Sequence, residues 1–192
     1  MNIVIFGPPG AGKGTQSNII VKKFQLYQLS TGELLRREIK NNTDLGNKIS
    51  SIINSGNLVS DDIVGNLIEK HVSNKIYKNK LIFDGYPRNL NQAKNLDNLL
   101  KKYNQRINIV LKLSVSLETI KKRILERRDL EKRADDSELI AIQRYKNYEN
   151  NIKNVVEFYK KSNLLKEVNG EAPIDQISNE ISRIINGIKG WL

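Results

Sequence analysis

Nine consecutive residues, Gly7-Pro8-Pro9-Gly10-Ala11-Gly12-Lys13-Gly14-Thr15, have types and spacing suited to holding phosphate. Glycines let the backbone turn so that successive N–H groups point at one anion, and a helix starting directly after them adds the positive end of its dipole. Lys13 is then placed to bridge the β- and γ-phosphates of a nucleoside triphosphate, as in a P-loop. The context fits, because an apolar run at 2–6 of strand length precedes the motif and Ile19, Ile20 and Phe24 mark a helix after it. Gly14 between Lys13 and Thr15 departs from the common Gly-Lys-Ser/Thr form and narrows the family to which the loop can belong.

Arginine is the second chemical feature. Moving a phosphoryl group between two anionic molecules gathers negative charge that fixed cations must cancel, and the planar fork of Arg binds such oxygens bidentately. Arg123 and Arg127 are four residues apart and would share a helix face. Taken singly, each arginine reads as a solvated helix charge. Asp84 ends an apolar run just before Gly85, which puts a carboxylate at the carboxyl edge of a sheet, where ligands of such folds bind.

The elements that must position these residues alternate. Strand-length runs lie at 2–6, 26–29, 81–84, 107–115 and 164–168, rich in the Ile, Val and Leu that suit strands buried on both faces. Helical stripes lie between them: Ile63, Val64, Leu67, Ile68, His71 and Val72; Leu90, Ala93, Leu96, Leu99, Leu100 and Tyr103; and Ile174 through Ile188. The pattern predicts a parallel sheet with helices on both faces. His71 sits on the edge of its stripe and reads as structural. Two helical patterns, at 34–40 and 45–53, follow one another without a strand between them and read as an inserted cap. Residues 127–136, polar and charged, read as a short exposed loop between two helices.

Composition narrows the chemistry. The 192 residues contain no cysteine and one histidine, which excludes disulfides, thiolate nucleophiles and Cys-ligated zinc and leaves oxygen as the ligand for any metal. The chain enters its glycine-rich turn too early for a signal peptide, and no run approaches a membrane span. A formal charge of +11 raises a nucleic-acid reading, but the lysines are scattered and only 6% of residues are aromatic, with no basic–aromatic cluster to stack on bases. A P-loop ATPase acting on nucleic acid and a non-catalytic nucleotide-binding module are the competing classes. The first would show salt-dependent nucleic-acid binding, the second tight ATP binding without transfer.

The motif GPPGAGKGT, then Leu29-Ser30-Thr31-Gly32-Glu33-Leu34-Leu35-Arg36, then Asp84-Gly85-Tyr86-Pro87-Arg88, in this order and at these distances, resemble the adenylate kinase family. Matching segments at 56–61, 123–128, 133–136 and 168–170 extend the resemblance over nearly the whole chain. It implies a single α/β domain of the P-loop NTPase type: three layers around a five-stranded parallel sheet, with core segments at 1–29, 60–127 and 134–192. An inserted helical segment at 30–59 would bind the nucleoside monophosphate, and a short lid would lie at about 128–133. Long-form relatives carry a sizeable insertion, sometimes zinc-bearing, between the two arginine clusters; here only Asp129-Leu130-Glu131-Lys132 intervenes.

The activity implied is reversible, Mg²⁺-dependent transfer of the terminal phosphoryl group of ATP to AMP, giving two ADP, in adenine nucleotide homeostasis. Lys13, Arg88, Arg127, Arg133 and Arg144 would be catalytic. ATP would be held by Gly10, Ala11, Gly12, Lys13, Gly14, Thr15, Arg123, Arg127, Gly170 and Ala172. AMP would be held by Thr31, Arg36, Asn57, Val59, Gly85, Arg88, Gln92, Arg133 and Arg144, with Leu35 and Val64 as apolar walls. Thr31 and Gln92 are the adenine-type pair, where pyrimidine-type relatives have Ala and Asn. Asp84 would hold Mg²⁺ through water, with Thr15 and Glu33 close by. No structural zinc is expected, and the protein is expected to be a cytoplasmic monomer that binds neither nucleic acid nor membrane.

Overall fold

Strand β1 (Asn2–Phe6) is buried along its whole length, and its alternation sends Val4 and Phe6 to one face of the sheet and Ile3 and Ile5 to the other. Each such side chain, taken wholly out of water, contributes about 1.5–3 kcal/mol. The computed structural model describes residues 1–131 and 137–189. Around β1 lie β2 (Tyr27–Ser30), β3 (Leu81–Asp84), β4 (Ile107–Ser114) and β5 (Leu165–Asn169), all parallel, in the order β2-β3-β1-β4-β5. This is the expected five-stranded parallel sheet, with β2 and β5 displaced by one residue and β4 one residue shorter than expected. The shift at β2 has a local cause: Gln25 takes a left-handed conformation (φ 55°) to end the preceding helix, and Leu26 bonds back to it, so pairing begins at Tyr27.

Eight α-helices are described. Helices α1 (Lys13–Phe24) and α8 (Ile174–Lys189) cover the face carrying Ile3, Ile5, Ile82, Leu111 and Leu113. The other face packs under α2 (Thr31–Lys40), α3 (Asp44–Asn54), α4 (Asp61–Val72), α5 (Leu90–Lys102) and α7 (Glu138–Lys161), around Val4, Phe6, Phe83 and Val110. Helices α2 and α3 follow β2 without a strand between them, so the predicted helical insertion is present. Their starts are capped, Ser30 accepting from the Glu33 N–H and Thr43 from the Gly46 N–H. His71 packs as a structural residue: its Nδ1–H donates to the Leu67 carbonyl at 2.9 Å and its ring stacks on Tyr77.

One expectation needs correction. The polar stretch 127–136 reads as a loop in the sequence, but α6 (Leu117–Glu131) runs on through Glu131. Polarity alone does not stop a helix: Arg-Arg-Asp-Leu-Glu holds good helix formers and neither Gly nor Pro. Helix α7 starts at a Ser137 cap that accepts from the Ile140 N–H. Residues 132–136, Arg133 among them, lie outside the described residues. Among the described residues, no helix is long and apolar enough to cross a membrane.

Candidate active site

The glycine-rich loop joins the carboxyl end of β1 to α1. Gly12 stands at the helix start with φ 88°, a left-handed conformation that any side chain would strain, and a Cβ there or on Gly14 would meet nothing within 4 Å. The mouth of the loop is thus open above the helix N-terminus, with Thr15 exposed in the first turn. Lys13 folds back across the loop, its ammonium donating to the Gly7 carbonyl at 2.7 Å and the Pro8 carbonyl at 2.9 Å. Although the residue as a whole keeps some exposure, the ammonium is desolvated, and this brings its pKa down to about 8. Asp84 opposes that shift, while the charges of Arg88, Arg144 and Arg127 add to it. Cations from α6, α7 and the β3–α5 loop therefore converge on the loop.

Beside β1, parallel pairing sets Asp84 next to Ile5, and the Asp84 carboxylate accepts from the Gln28 amide at 2.9 Å. Oxygen donors on Asp84 and Thr15 suit a hard cation such as Mg²⁺. Among the described residues, no group of three or more His, Cys, Asp or Glu gathers to hold a metal. A cation here would thus need water and ligand oxygens to complete its shell. Glu33 is exposed in the first turn of α2.

A cleft of about 560 Å³ lies between the helical insertion and the sheet edge, lined by Thr31, Leu35, Arg36, Asn57, Val59, Val64, Gly85, Arg88, Gln92 and Arg144. All the described residues expected around the monophosphate are there together. A second cavity of about 600 Å³ shares Gly56, Leu58, Gly85, Arg88 and Arg144 with it and reaches Gly7, Pro9 and Lys13. The two form one continuous depression from the insertion to the phosphate loop.

Two features order the floor of this cleft. Gly85 has φ 77°, and a Cβ there would stand 3.1 Å from Thr31 Oγ1 and 3.2 Å from an Arg88 Nη. Glycine thus lets three site residues meet: the Thr31 hydroxyl donates to the Gly85 carbonyl at 3.0 Å and Arg88 Nε donates to the same oxygen at 2.7 Å. Gln92, nearly fully buried, accepts from the Arg88 N–H through Oε1 at 2.7 Å and donates to Asp61 through Nε2 at 2.7 Å.

Other expected residues gather at the neighbouring strand end. Arg123 on α6 donates to the Gly170 carbonyl at 3.0 Å, which fastens it to the turn after β5 that also carries Ala172. Ala11 is buried inside the loop, its N–H donating to the Pro8 carbonyl. Sequence reasoning missed Ile53, Gly56, Leu58, Asn147 and Tyr148, all of which line the depression. Asn147 on α7 donates to the Gly56 carbonyl at 3.1 Å and so ties the insertion to the core. Nothing in the spacing of Asn147 and Tyr148 marks them, because α7 reaches the cleft only through tertiary packing, whereas Ile53, Gly56 and Leu58 adjoin or lie within the matched segment 56–61.

Comparison with known proteins gives one consistent result. A family model described as "Adenylate kinase" matches residues 5–164. A protein of Pelagibacter ubique (strain HTCC1062) named "Adenylate kinase" is 44% identical, the match covering 96% of this chain and 99% of that one. Proteins with the same name are 42% identical in Azobacteroides pseudotrichonymphae genomovar. CFP2, with 98% of each chain covered, and 40% identical in Prochlorococcus marinus (strain NATL2A), with 94% and 96% covered.

Proposed function

The chain belongs to the adenylate kinase family, and from that premise we propose that it transfers the terminal phosphoryl group of ATP to AMP, giving two ADP, and so balances adenine nucleotides as a cytoplasmic monomer. The observation that carries this reading is the continuity of the depression. A cationic phosphate loop at one end and a cleft holding Thr31 and Gln92 at the other share Arg88 and Arg144 between them.

ATP would lie with its phosphates over Gly10 to Thr15 and its base near Arg123, Gly170 and Ala172. The Lys13 ammonium would exchange the Gly7 and Pro8 carbonyls for phosphate oxygens. AMP would enter the cleft with its phosphate against Arg36 and Arg88 and its base between Leu35 and Val64, read by Thr31 and Gln92, with Asn57 and Val59 offering backbone carbonyls. Mg²⁺, brought with ATP, would neutralise charge on the β- and γ-phosphates, with Asp84 holding its water shell.

No protein base is needed, since the attacking AMP phosphate oxygen is already anionic. It forms a bond to the γ-phosphorus as the bond from that phosphorus to the β,γ-bridging oxygen breaks, and ADP leaves. The protein's part is positioning and charge stabilisation by Lys13, Arg88, Arg127, Arg144 and Arg133. Closure of the insertion and of the α6–α7 connection over both substrates would exclude water, which would otherwise take the phosphoryl group.

Purified protein with ATP, Mg²⁺ and a panel of nucleoside monophosphates tests the reading. AMP is expected to be consumed with two ADP formed, and UMP to react slower by orders of magnitude, because it leaves buried polar groups unpaired. Equal turnover of UMP and AMP would refute it. In the same assay Gly85→Ala is expected to raise the KM for AMP, because the added Cβ displaces Thr31 and Arg88. Strain at its positive φ should also lower stability by about 1–3 kcal/mol, measured by denaturant unfolding.

A further inference from the structure

Asp61 opens α4, on an element remote in sequence from the strand and helix that flank the phosphate loop, yet its carboxylate accepts from three side chains of another helix. It accepts from Asn89 Nδ2 at 3.0 and 3.2 Å, from Asn91 Nδ2 at 3.1 Å and from Gln92 Nε2 at 2.7 Å. All three donors belong to the start of α5, where Asn89 also caps the helix by accepting from the Gln92 N–H at 2.8 Å. Asp61 is not among the residues that line the cleft, whereas Gln92 is.

A glutamine amide has two ends of opposite character, and which end points where is set by its partners. A carboxylate can only accept and a backbone N–H can only donate. With Asp61 at one end and the Arg88 N–H at the other, only one orientation satisfies both. Turning the amide over would set Oε1 against the carboxylate and Nε2 against the Arg88 N–H, leaving both ends of the buried Gln92 amide mispaired.

We propose that Asp61 is a positioning residue that locks the Gln92 amide in this orientation and thereby makes the cleft select bases carrying an amino group over bases carrying an oxo group at the same place. The proposal rests on the reading of this cleft as the AMP site. In the locked orientation each end of the amide keeps one further capacity, a lone pair on Oε1 and a hydrogen on Nε2. Adenine offers an amino N–H beside a ring nitrogen that accepts, which complements that pair. Hypoxanthine offers a carbonyl beside a ring N–H, the reverse pattern, and meets acceptor with acceptor and donor with donor.

A first-turn aspartate also stabilises its helix by facing the dipole. Asp62, exposed at the next position of the same turn, carries that role without the amide contacts and serves as the control. The test compares kcat/KM for AMP and for inosine monophosphate, at saturating ATP, in wild type, Asp61→Asn and Asp62→Asn. Asparagine keeps the shape but can face Gln92 with either a donor or an acceptor, so the lock is lost. The AMP-over-IMP ratio is expected to fall about tenfold or more in Asp61→Asn, with the KM for ATP unchanged, and to stay at the wild-type value in Asp62→Asn.

An unchanged ratio in folded Asp61→Asn, or an equal fall in Asp62→Asn, overturns the proposal. Should Asp61→Asn not fold, the wild-type protein decides. Its Gln92 side-chain amide hydrogens are expected to exchange with solvent far more slowly than those of an exposed glutamine, and exchange at the exposed rate overturns the lock. A wild-type protein that does not phosphorylate AMP would instead refute the reading of the cleft, and that is seen before any variant is made.

Discussion

Lys13→Met is expected to lower kcat by about 10²–10³ with the fold intact, the size of effect seen when a preorganised transition-state contact is removed. Methionine keeps the length and packing of the stem but removes the cation that reaches across the loop. The Gly7 and Pro8 carbonyls, on buried residues, would lose their donor, so a loss of stability of about 1–3 kcal/mol is expected beside the loss of rate. Steady-state kinetics with thermal unfolding as a fold control checks this, and near-wild-type turnover would remove Lys13 from the reaction.

The same residue gives a proton signature that the variant must erase. Burial and the nearby arginines hold the Lys13 pKa at about 8 in the free protein, so at pH 8.5 much of it is neutral. Binding an anionic triphosphate favours the charged form, so ATP binding at that pH is expected to take up protons. Calorimetry in buffers of different ionisation enthalpy would detect this, and the uptake should vanish in Lys13→Met. The same shift sets the sign for stability. The unfolded chain, with an ordinary value of 10.5, holds this proton more tightly than the folded one. Stability from this group therefore rises with pH between about 8 and 10.5.

Arg88→Met is expected to lower kcat by about 10² or more and also to raise the KM for AMP, because Arg88 lines both parts of the depression. Arg88→Lys is the more telling variant. The guanidinium donates through Nε to the Gly85 carbonyl while the same side chain lines the cleft. A lysine has one nitrogen and cannot do both, so restoring the charge should recover only part of the loss. Full recovery would mean that charge alone matters and that the fork geometry has no role.

Much of the fold is legible in the chain because its signals are local. Runs such as Asn2–Phe6 and Leu81–Asp84 are apolar on both faces and bounded by glycine or polar turns, so strand and burial are written in a few adjacent residues. The end of α6 escapes sequence reading for the converse reason. Arg127 to Glu131 is polar, and whether such a stretch stays helical depends on helix propensity and on where the next helix starts, not on an apolar stripe.

The site divides in the same way. Residues 7–15 announce phosphate binding by themselves, because one turn and one helix start build the whole cradle from consecutive backbone groups. That makes the loop, the family and the candidate arginines readable in the chain alone. The convergence of Arg88, Arg127 and Arg144 on Lys13 is different, since it needs the β3–α5 loop, α6 and α7 packed round one strand end before their charges add. The orientation of Gln92 needs the tertiary structure too. Its partner Asp61 stands 31 residues earlier on another helix, and no local spacing can set a donor against an acceptor across that distance. Sequence determined which groups the phosphate loop would offer; packing decided which cations surround it and which way the amide beside it faces.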